Sequence, residues 1–577
     1  MKSSIGIIFC LGFLVYSNTF HSSFHFDDLP SIVANPAIRN IHHLQSIWSF
    51  LPRRFILYLS LALNYHLGGL DVLGYHLFNL AVHLISAVLV CWLVRLTFLC
   101  PGMKEEKISR HANLISLFAG LIFVAHPIQT QAVTYIIQRA ASMAAMFYLA
   151  SLCLYVKSRL AREDVIASPK GEAIYYTGSL VMAIAAMFTK ETAITLPLMI
   201  LLYEYFFLKN RDVSQLLIGR RPYLFLLTLL IIPLTMLFTE TGAARLHQLS
   251  SEPGISPSHY LFTQFRVMIT YVRLVFLPFN QNIDYDYPVY KNLFEWPVLL
   301  SLLFLSVILY GAKRLFLKYR LASFGIIWFF MTLLPESSFL PIKDVIYEHR
   351  LYLPMAGFSL FLVSGIYYLL LTVRQLKILR FAQEDNGRNV VVVLTIIIAC
   401  YSLMAYQRNN AWKDELTLWG DTIQKSPHKT RAYINLAFAY DKQGDLAQVM
   451  SNYNKAIEIN PQYPDAYYNR GLVYYRQGQM PQALSDFNRV IELSPDFADA
   501  RNNRGLVYYY QGSFSKAMDE YNIAIALKPD YAAAYNNLAI VYYQLKEFDK
   551  AWVNVNKARA LGFVPNPGFI SALKQAG

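Results

Sequence analysis

The sequence predicts an all-α protein with two parts: a polytopic membrane domain and a C-terminal tetratricopeptide-type α-solenoid. Three observations carry this. Of the 577 residues, 55% are hydrophobic and mean hydropathy is +0.33, too apolar for a soluble chain of this size. The apolarity stops near residue 408, beyond which the chain is polar, rich in Tyr and Asn, and free of membrane-length runs. A 34-residue period then takes over, placing Pro at 427, 461, 495 and 529. Domains are therefore expected at 1–408 and 409–577.

Apolar runs that match a bilayer fall at about 4–20, 75–99, 112–126, 133–156, 174–189, 192–208, 222–239, 296–312, 321–335, 351–373 and 389–406, which makes about eleven spans. The shorter ones borrow flanking residues. A formal charge of +14 would suggest nucleic acid in a soluble protein. Here Lys and Arg gather in the loops 104–110, 157–162, 209–221, 313–320 and 374–388, and there is no basic-aromatic groove motif. With the N-terminus inside, all five loops are cytoplasmic, as the positive-inside rule requires. The first segment follows Lys2 and lacks a small-x-small cleavage site, so an uncleaved signal-anchor is expected. The five cysteines lie in or beside apolar runs, form no Cys-x-x-Cys, and are expected to be small packers.

The opposite face then receives the Asp27-Asp28 loop, the His126-Pro127 turn, Lys190-Glu191, residues 240–295, residues 335–350 and the whole solenoid. This topology requires that 258–277 not cross the membrane. Arg266 and Arg273 lie two helical turns apart there, which fits an interfacial amphipathic helix. Residues 53–70 are expected to behave in the same way.

The repeat assignment rests on two columns besides Pro, namely Gly444, Gly478 and Gly512 and Asn435, Asn469, Asn503 and Asn537, and on the pattern Tyr467, Gly471, Tyr474, Ala483, Phe487 and Pro495 within one unit. Together they predict two antiparallel helices per unit, with full repeats at about 428–461, 462–495, 496–529 and 530–562 and a cap at 563–577. Counting back one period makes 411–427, with Trp412 and Trp419, a half repeat that grows from the last span with little hinge. The Asn column has two readings. Either each amide bonds within its helix pair, or the four form a ladder that holds an extended peptide backbone, similar to that of the O-GlcNAc transferase superhelix. Arg470 and Arg504, next to the ladder, either add an anionic preference or are solvated.

Five motifs lie on the extracytoplasmic face. Asp27-Asp28 is a loop or helix-cap pair, or a general base for a hydroxyl acceptor. Glu348-His349-Arg350 is an interfacial anchor, or a cationic site for a lipid-linked phosphate in which Glu348 fixes Arg350. His126 is a turn residue or a ligand, and its turn leads to Arg139. Lys190-Glu191 is a self-paired turn, or a buried phosphate-binding lysine with its neighbour. Asp284-Tyr285-Asp286-Tyr287 suits a sugar platform at the membrane surface.

Taken together, Phe26-Asp27-Asp28, Leu63-Asn64-Tyr65, Leu67-Gly68-Gly69-Leu70, Gly74-Tyr75-His76-Leu77-Phe78-Asn79, His126-Pro127, Lys190-Glu191, Asp284 to Pro288, Glu348 to Pro354 and the repeats resemble the transmembrane and tetratricopeptide-repeat O-mannosyltransferases of the GT-C superfamily. The resemblance spans nearly the whole chain. It implies inverting transfer of a sugar, mannose in the eukaryotic members, from a polyprenyl-phosphate carrier to Ser or Thr hydroxyls, without a metal or cofactor. It makes Asp27 or Asp28 the base, with Asp28 slightly preferred for its place by the Leu29-Pro30 turn. Arg350, with Lys190 or Arg139, then binds the donor phosphate, and Glu348, His349, Glu191 and His126 belong to the same site. The solenoid recruits the acceptor protein through Asn435, Asn469, Asn503, Asn537, Arg470 and Arg504. Gln129 and Gln131 depart from the family, which often carries His and an acid in that turn. The compact loops suggest a bacterial member in the inner membrane with a periplasmic solenoid. The competing expectations are a GT-C enzyme for a glycolipid or surface polysaccharide, and a non-enzymatic membrane-anchored scaffold.

Overall fold

The computed structural model describes residues 2–163, 169–208, 221–237, 255–338, 340–342, 344–375 and 386–576. The basic loops expected at 209–221 and 374–388, and residues 240–254, lie wholly or mainly outside the described residues. Among the described residues all regular structure is helical. Each expected apolar run falls on helix. Among the described residues seven helices are long and apolar enough to cross a membrane, and Ser3–Tyr16, Pro222–Thr235 and Arg320–Leu333 are shorter apolar helices.

The run at 258–277 is one continuous helix, Pro257–Phe276. Ser256 caps it by accepting the backbone N–H of His259. It buries Tyr260, Thr263, Gln264, Val267, Tyr271 and Leu274, a single face at helical spacing, and leaves Arg273 exposed. The helix Phe55–Gly68 covers most of 53–70, and Gly69 ends it at φ +60, a conformation that only glycine adopts without strain.

In the membrane unit Val72–Leu99 packs against Ala112–Ala125 and Arg139–Glu163, while Arg320–Leu333 packs against Pro354–Gln375. The second crossing is close because it is made by two glycines. A Cβ on Gly325 would sit 2.5 Å from the Gly357 carbonyl, and one on Gly357 would sit 2.6 Å from the Gly325 carbonyl.

The chain divides into compact units at Asp421/Thr422, beyond the boundary expected at 408. The cause is local. Trp412 and Trp419 are buried, and Arg408 pairs with Asp421 at 2.6 Å, so 409–421 belongs to the membrane unit. The other unit holds the four expected helix pairs: Thr430–Gln443 with Leu446–Ile459, Pro464–Arg476 with Met480–Leu493, Ala498–Tyr510 with Phe514–Leu527, and Ala532–Gln544 with Phe548–Ala560. Pro567–Ala576 comes last, as the cap. Gly444, Gly478 and Gly512 turn each pair at φ 79, 74 and 73, and Lys546 occupies the same left-handed position at φ 63 in the fourth.

Backbone geometry yields two tests. Gly357→Ala should destabilise the protein by about 1–3 kcal/mol through overpacking. Gly365→Ala, on the same helix with nothing within 4 Å, should be neutral. Thermal unfolding in detergent compares them, and equal Tm values would exclude the glycine crossing. Lys546→Gly should raise solenoid stability by up to about 1 kcal/mol, because it removes left-handed strain; an unchanged or lowered denaturation midpoint would show that there is no strain to relieve.

Candidate functional site

The acidic loop comes directly after the first helix, and its two carboxylates are held differently. Asp28 is 0% exposed. Its Oδ2 accepts the backbone N–H of His25 at 3.0 Å, and its Oδ1 accepts that of Ile137 at 2.7 Å. Pro30 then starts the tight turn Leu29–Val33, which carries the chain away. Burial pushes the Asp28 carboxyl up to about 7, against the hydrogen bonds from His25 and Ile137, and the neighbouring Asp27 charge adds to the rise. Asp27 is half-buried. Its backbone N–H donates to the Tyr135 hydroxyl at 2.9 Å, and that hydroxyl in turn bonds the Asp27 carboxylate.

A cationic group faces the same region. Lys190 and Glu191 are adjacent in sequence but do not pair with each other. Lys190 is extended, at φ −156, before the turn Glu191–Thr195, so the two side chains diverge. Lys190 Nζ meets Glu336 at 2.9 Å and is 5% exposed. Glu191 takes Arg53 Nε and Arg54 Nη2, each at 3.0 Å. Tyr58 feels both sides, lying within the electrostatic reach of Arg54, Asp27 and Arg53.

His349 is the centre of the group. Its backbone N–H donates to Gln131 Oε1 at 2.6 Å, and its ring stacks on Tyr347 at 5.0 Å. Burial, and then the charges of Lys190, Arg350 and Arg54, push its pKa well below the ordinary range, so the ring is neutral. Its Nδ1 is buried without a partner. Arg350 donates to the carbonyls of Val345 at 3.0 Å and Asp344 at 2.7 Å. Arg53, Arg54, Lys190 and Arg350 thus gather around the carboxylates Glu191 and Glu336, with Asp27 within electrostatic reach of the same Tyr58. A cluster of cations of this kind suits an anionic group.

The remaining motifs have structural partners. Glu348 does not fix Arg350, contrary to the sequence expectation. It accepts from Asn282 N at 2.6 Å, Gln281 Nε2 at 3.0 Å and the Tyr285 hydroxyl at 2.5 Å, and so ties down the segment before Asp286. Asp284 is buried, Tyr285 and Tyr287 are half-buried, Asp286 is exposed, and the Tyr287 hydroxyl meets Thr270 at 2.8 Å. His126 Nδ1 accepts from Ile128 N at 3.1 Å while Nε2 donates to the Val275 carbonyl at 2.9 Å. Both ring nitrogens are thereby used within the protein, and burial lowers the ring to about 3. Arg139 is fully buried and donates to Asn79 Oδ1 at 2.6 Å, the Tyr75 carbonyl at 3.1 Å and Ser60. Gln129 lies in a turn packed against Glu348–Leu351, and its amide oxygen and nitrogen are buried without a protein partner. Such atoms require water or a ligand. No group of three or more His, Cys, Asp or Glu among the described residues is arranged to hold a metal ion.

In the solenoid, Asn503 Nδ2 donates to the Tyr468 hydroxyl at 3.0 Å and Asn537 Nδ2 to Asn502 Oδ1 at 2.9 Å, which links successive repeats. Asn469 donates to the Asp465 carbonyl of its own helix, and the Asn435 amide nitrogen is buried without a partner. Arg470 and Arg504 correct the expectation of free or peptide-reading cations. Arg470 forks onto Asp486 at 2.8 and 2.7 Å and onto Asn454, and Arg504 binds Glu520 at 2.5 Å and Asn488 at 2.7 Å.

Comparison with known proteins bears on both units. Family models described as TPR repeat match residues 439–478 and 505–546, and one described as Tetratricopeptide repeat matches 464–497. A protein O-mannosyl-transferase of Caenorhabditis elegans is 26% identical over 478 residues, which is 78% of this chain and 61% of that protein. The human protein O-mannosyl-transferase TMTC3 is 22% identical over 485 residues, covering 76% of this chain and 50% of its own. Over most of its length the chain is similar to these two protein O-mannosyl-transferases. It spans about half to three fifths of their length. Solved structures similar to part of the chain include MamA, at 23% identity over 26% of this chain and 86% of that one with a TM-score of 0.24, and YrrB, at 19% identity over 32% and 88% with a TM-score of 0.24.

Sequence reasoning missed Arg53, Arg54, Tyr58 and Glu336. The adjacent arginines were visible, but Glu191 read as a partner or neighbour of Lys190. The pairing joins segments far apart in sequence, so no local spacing announces it.

Asp28 yields a test. The folded chain holds its proton to about 7, whereas an unfolded carboxyl releases it near about 4. Its contribution to stability is therefore full below about pH 4 and lost as pH rises through about 7. Between about pH 5 and about pH 8, Tm should fall more steeply in the wild type than in Asp28→Asn; parallel slopes would show an ordinary carboxyl.

Proposed function

We propose that this chain is a GT-C inverting glycosyltransferase that moves a sugar, with mannose favoured, from a polyprenyl-phosphate carrier to Ser or Thr hydroxyls of proteins on the extracytoplasmic face. The relatives' names support protein O-mannosyl transfer. The observation that carries the reading is the gathering of Lys190, Arg350 and Arg54 around neutral His349, with a half-buried acid reaching the same Tyr58 as Arg54.

Asp27 is the base in this reading, not Asp28. Asp28 is fully enclosed and spends both oxygens on backbone N–H groups, whereas Asp27 is partly open. Asp27 takes the proton from the acceptor hydroxyl as its oxygen attacks the anomeric carbon. The bond from that carbon to the phosphate oxygen breaks, and the electron pair leaves with the polyprenyl phosphate. Lys190, Arg54 and Arg350 stabilise the second negative charge that develops there. The negative charge on the phosphate grows as the bond breaks, so stabilisation by these cations grows toward the transition state. His126 and Arg139 build the fold around the site, and the solenoid engages the acceptor on the same side of the membrane.

The test is transfer from polyprenyl-phosphate mannose to Ser/Thr peptides by the purified full chain. Asp27→Asn should lower kcat by about 10²–10⁴-fold with little change in the donor KM. Lys190→Met should raise the donor KM and lower kcat together. Full activity in Asp27→Asn would refute the assignment. A wild type that binds no polyprenyl-phosphate sugar would favour the scaffold, and one that glycosylates only lipid or polysaccharide would favour that acceptor class.

A further inference from the structure

Phe26, next to Asp27, is held at φ +40. Among the described residues only Asn280 and Lys546 share a positive φ without being glycine. A bulky aromatic residue does not adopt this conformation unless its surroundings impose it, and such strain gathers at functional loops.

The surroundings are supplied by one segment, the stretch between the last apolar helix and the repeats. The Phe26 ring meets Trp419 edge-on at 5.7 Å. His25 Nε2 bonds the Trp412 carbonyl at 2.7 Å, and the two rings meet at 6.0 Å. Ser23 N donates to the Lys413 carbonyl at 3.2 Å. Trp412 also stacks on Tyr135 at 5.5 Å, and Tyr135 is the residue that binds both ends of Asp27. The segment is itself anchored in the membrane unit. Asn409 donates to the Val15 carbonyl at 2.9 Å and accepts from Thr134 at 3.1 Å, and Asn18 bridges the Tyr406 carbonyl and Asn410, each at 2.9 Å.

We infer that Trp412 and Trp419 are positioning residues for the transfer reaction. They hold Phe26 in its left-handed conformation and thereby aim the Asp27 carboxylate at the acceptor. The inference rests on the reading of Asp27 as the base, and it assigns to the segment 409–421 of the membrane unit a role in chemistry that is separate from acceptor recruitment.

The decisive comparison is between two small variants that both delete the Phe26 ring. Phe26→Gly can keep φ +40 without strain, while Phe26→Ala retains the Cβ that opposes it. With the full chain, kcat should fall at least about tenfold further in Phe26→Ala than in Phe26→Gly, the donor KM staying the same in both, since a misaimed base raises the barrier without weakening donor binding. Trp419→Phe should keep most of kcat. Trp419→Ala should lose it, and Phe26→Gly introduced into Trp419→Ala should restore part of it. Hydrogen exchange at the amides of residues 25–29 should change in the same order. Equal kcat in Phe26→Ala and Phe26→Gly, or unchanged exchange in Trp419→Ala, would overturn the inference. A wild type that transfers nothing, but whose variants show the stated exchange order, would overturn the glycosyltransferase reading while supporting the contact.

Discussion

The Asp28 carboxylate, buried and bonded to the backbone of His25 and Ile137, is the join on which the candidate site depends. It fastens the loop after the first helix to the turn that begins Arg139–Glu163, two elements separated by most of a hundred residues of helix. A charge in that place is costly, and the rise of its pKa measures the cost. The return is directional. With both carboxylate oxygens fixed, the neighbouring residue has little freedom, and Tyr135 and Trp412 remove what remains.

Conserving charge across the site explains the rest of the arrangement. In the cluster, Lys190 and Arg54 are paired with Glu336 and Glu191, and carbonyls accept from Arg350, while the Nε groups of Arg54 and Arg350 have no hydrogen-bond partner. Full neutralisation would leave nothing for an anion to gain, and no neutralisation would cost more than the fold supplies. The neutral His349 within it adds a polar surface without further charge.

The sequence made the architecture legible because its signals are periodic. The apolar runs, the 34-residue columns and the Arg266/Arg273 face each repeat at the spacing of the element that they form. The site was legible only in outline. Asp27, Asp28, Lys190 and His349 stood out as polar residues beside apolar runs. Their partners did not, because Arg54 to Glu191 and Lys190 to Glu336 are tertiary pairs with no shared spacing. Glu348 with Arg350 shows the opposite failure: proximity in sequence suggested a pair, but the turn Glu348–Leu351 sends the two side chains to different segments. Arg470 and Arg504 read as an anionic preference or as solvated because their acidic partners lie sixteen positions later, across the helix pair.

The unit boundary at Asp421/Thr422 has a consequence for how such a chain can change length. Because 409–421 packs with the membrane helices, the piece next to the acidic loop is constant. Beyond it the chain is a series of near-identical modules bound mainly to their neighbours. Modules can be added or removed beyond the first full repeat at nearest-neighbour cost, without touching the residues that frame Phe26.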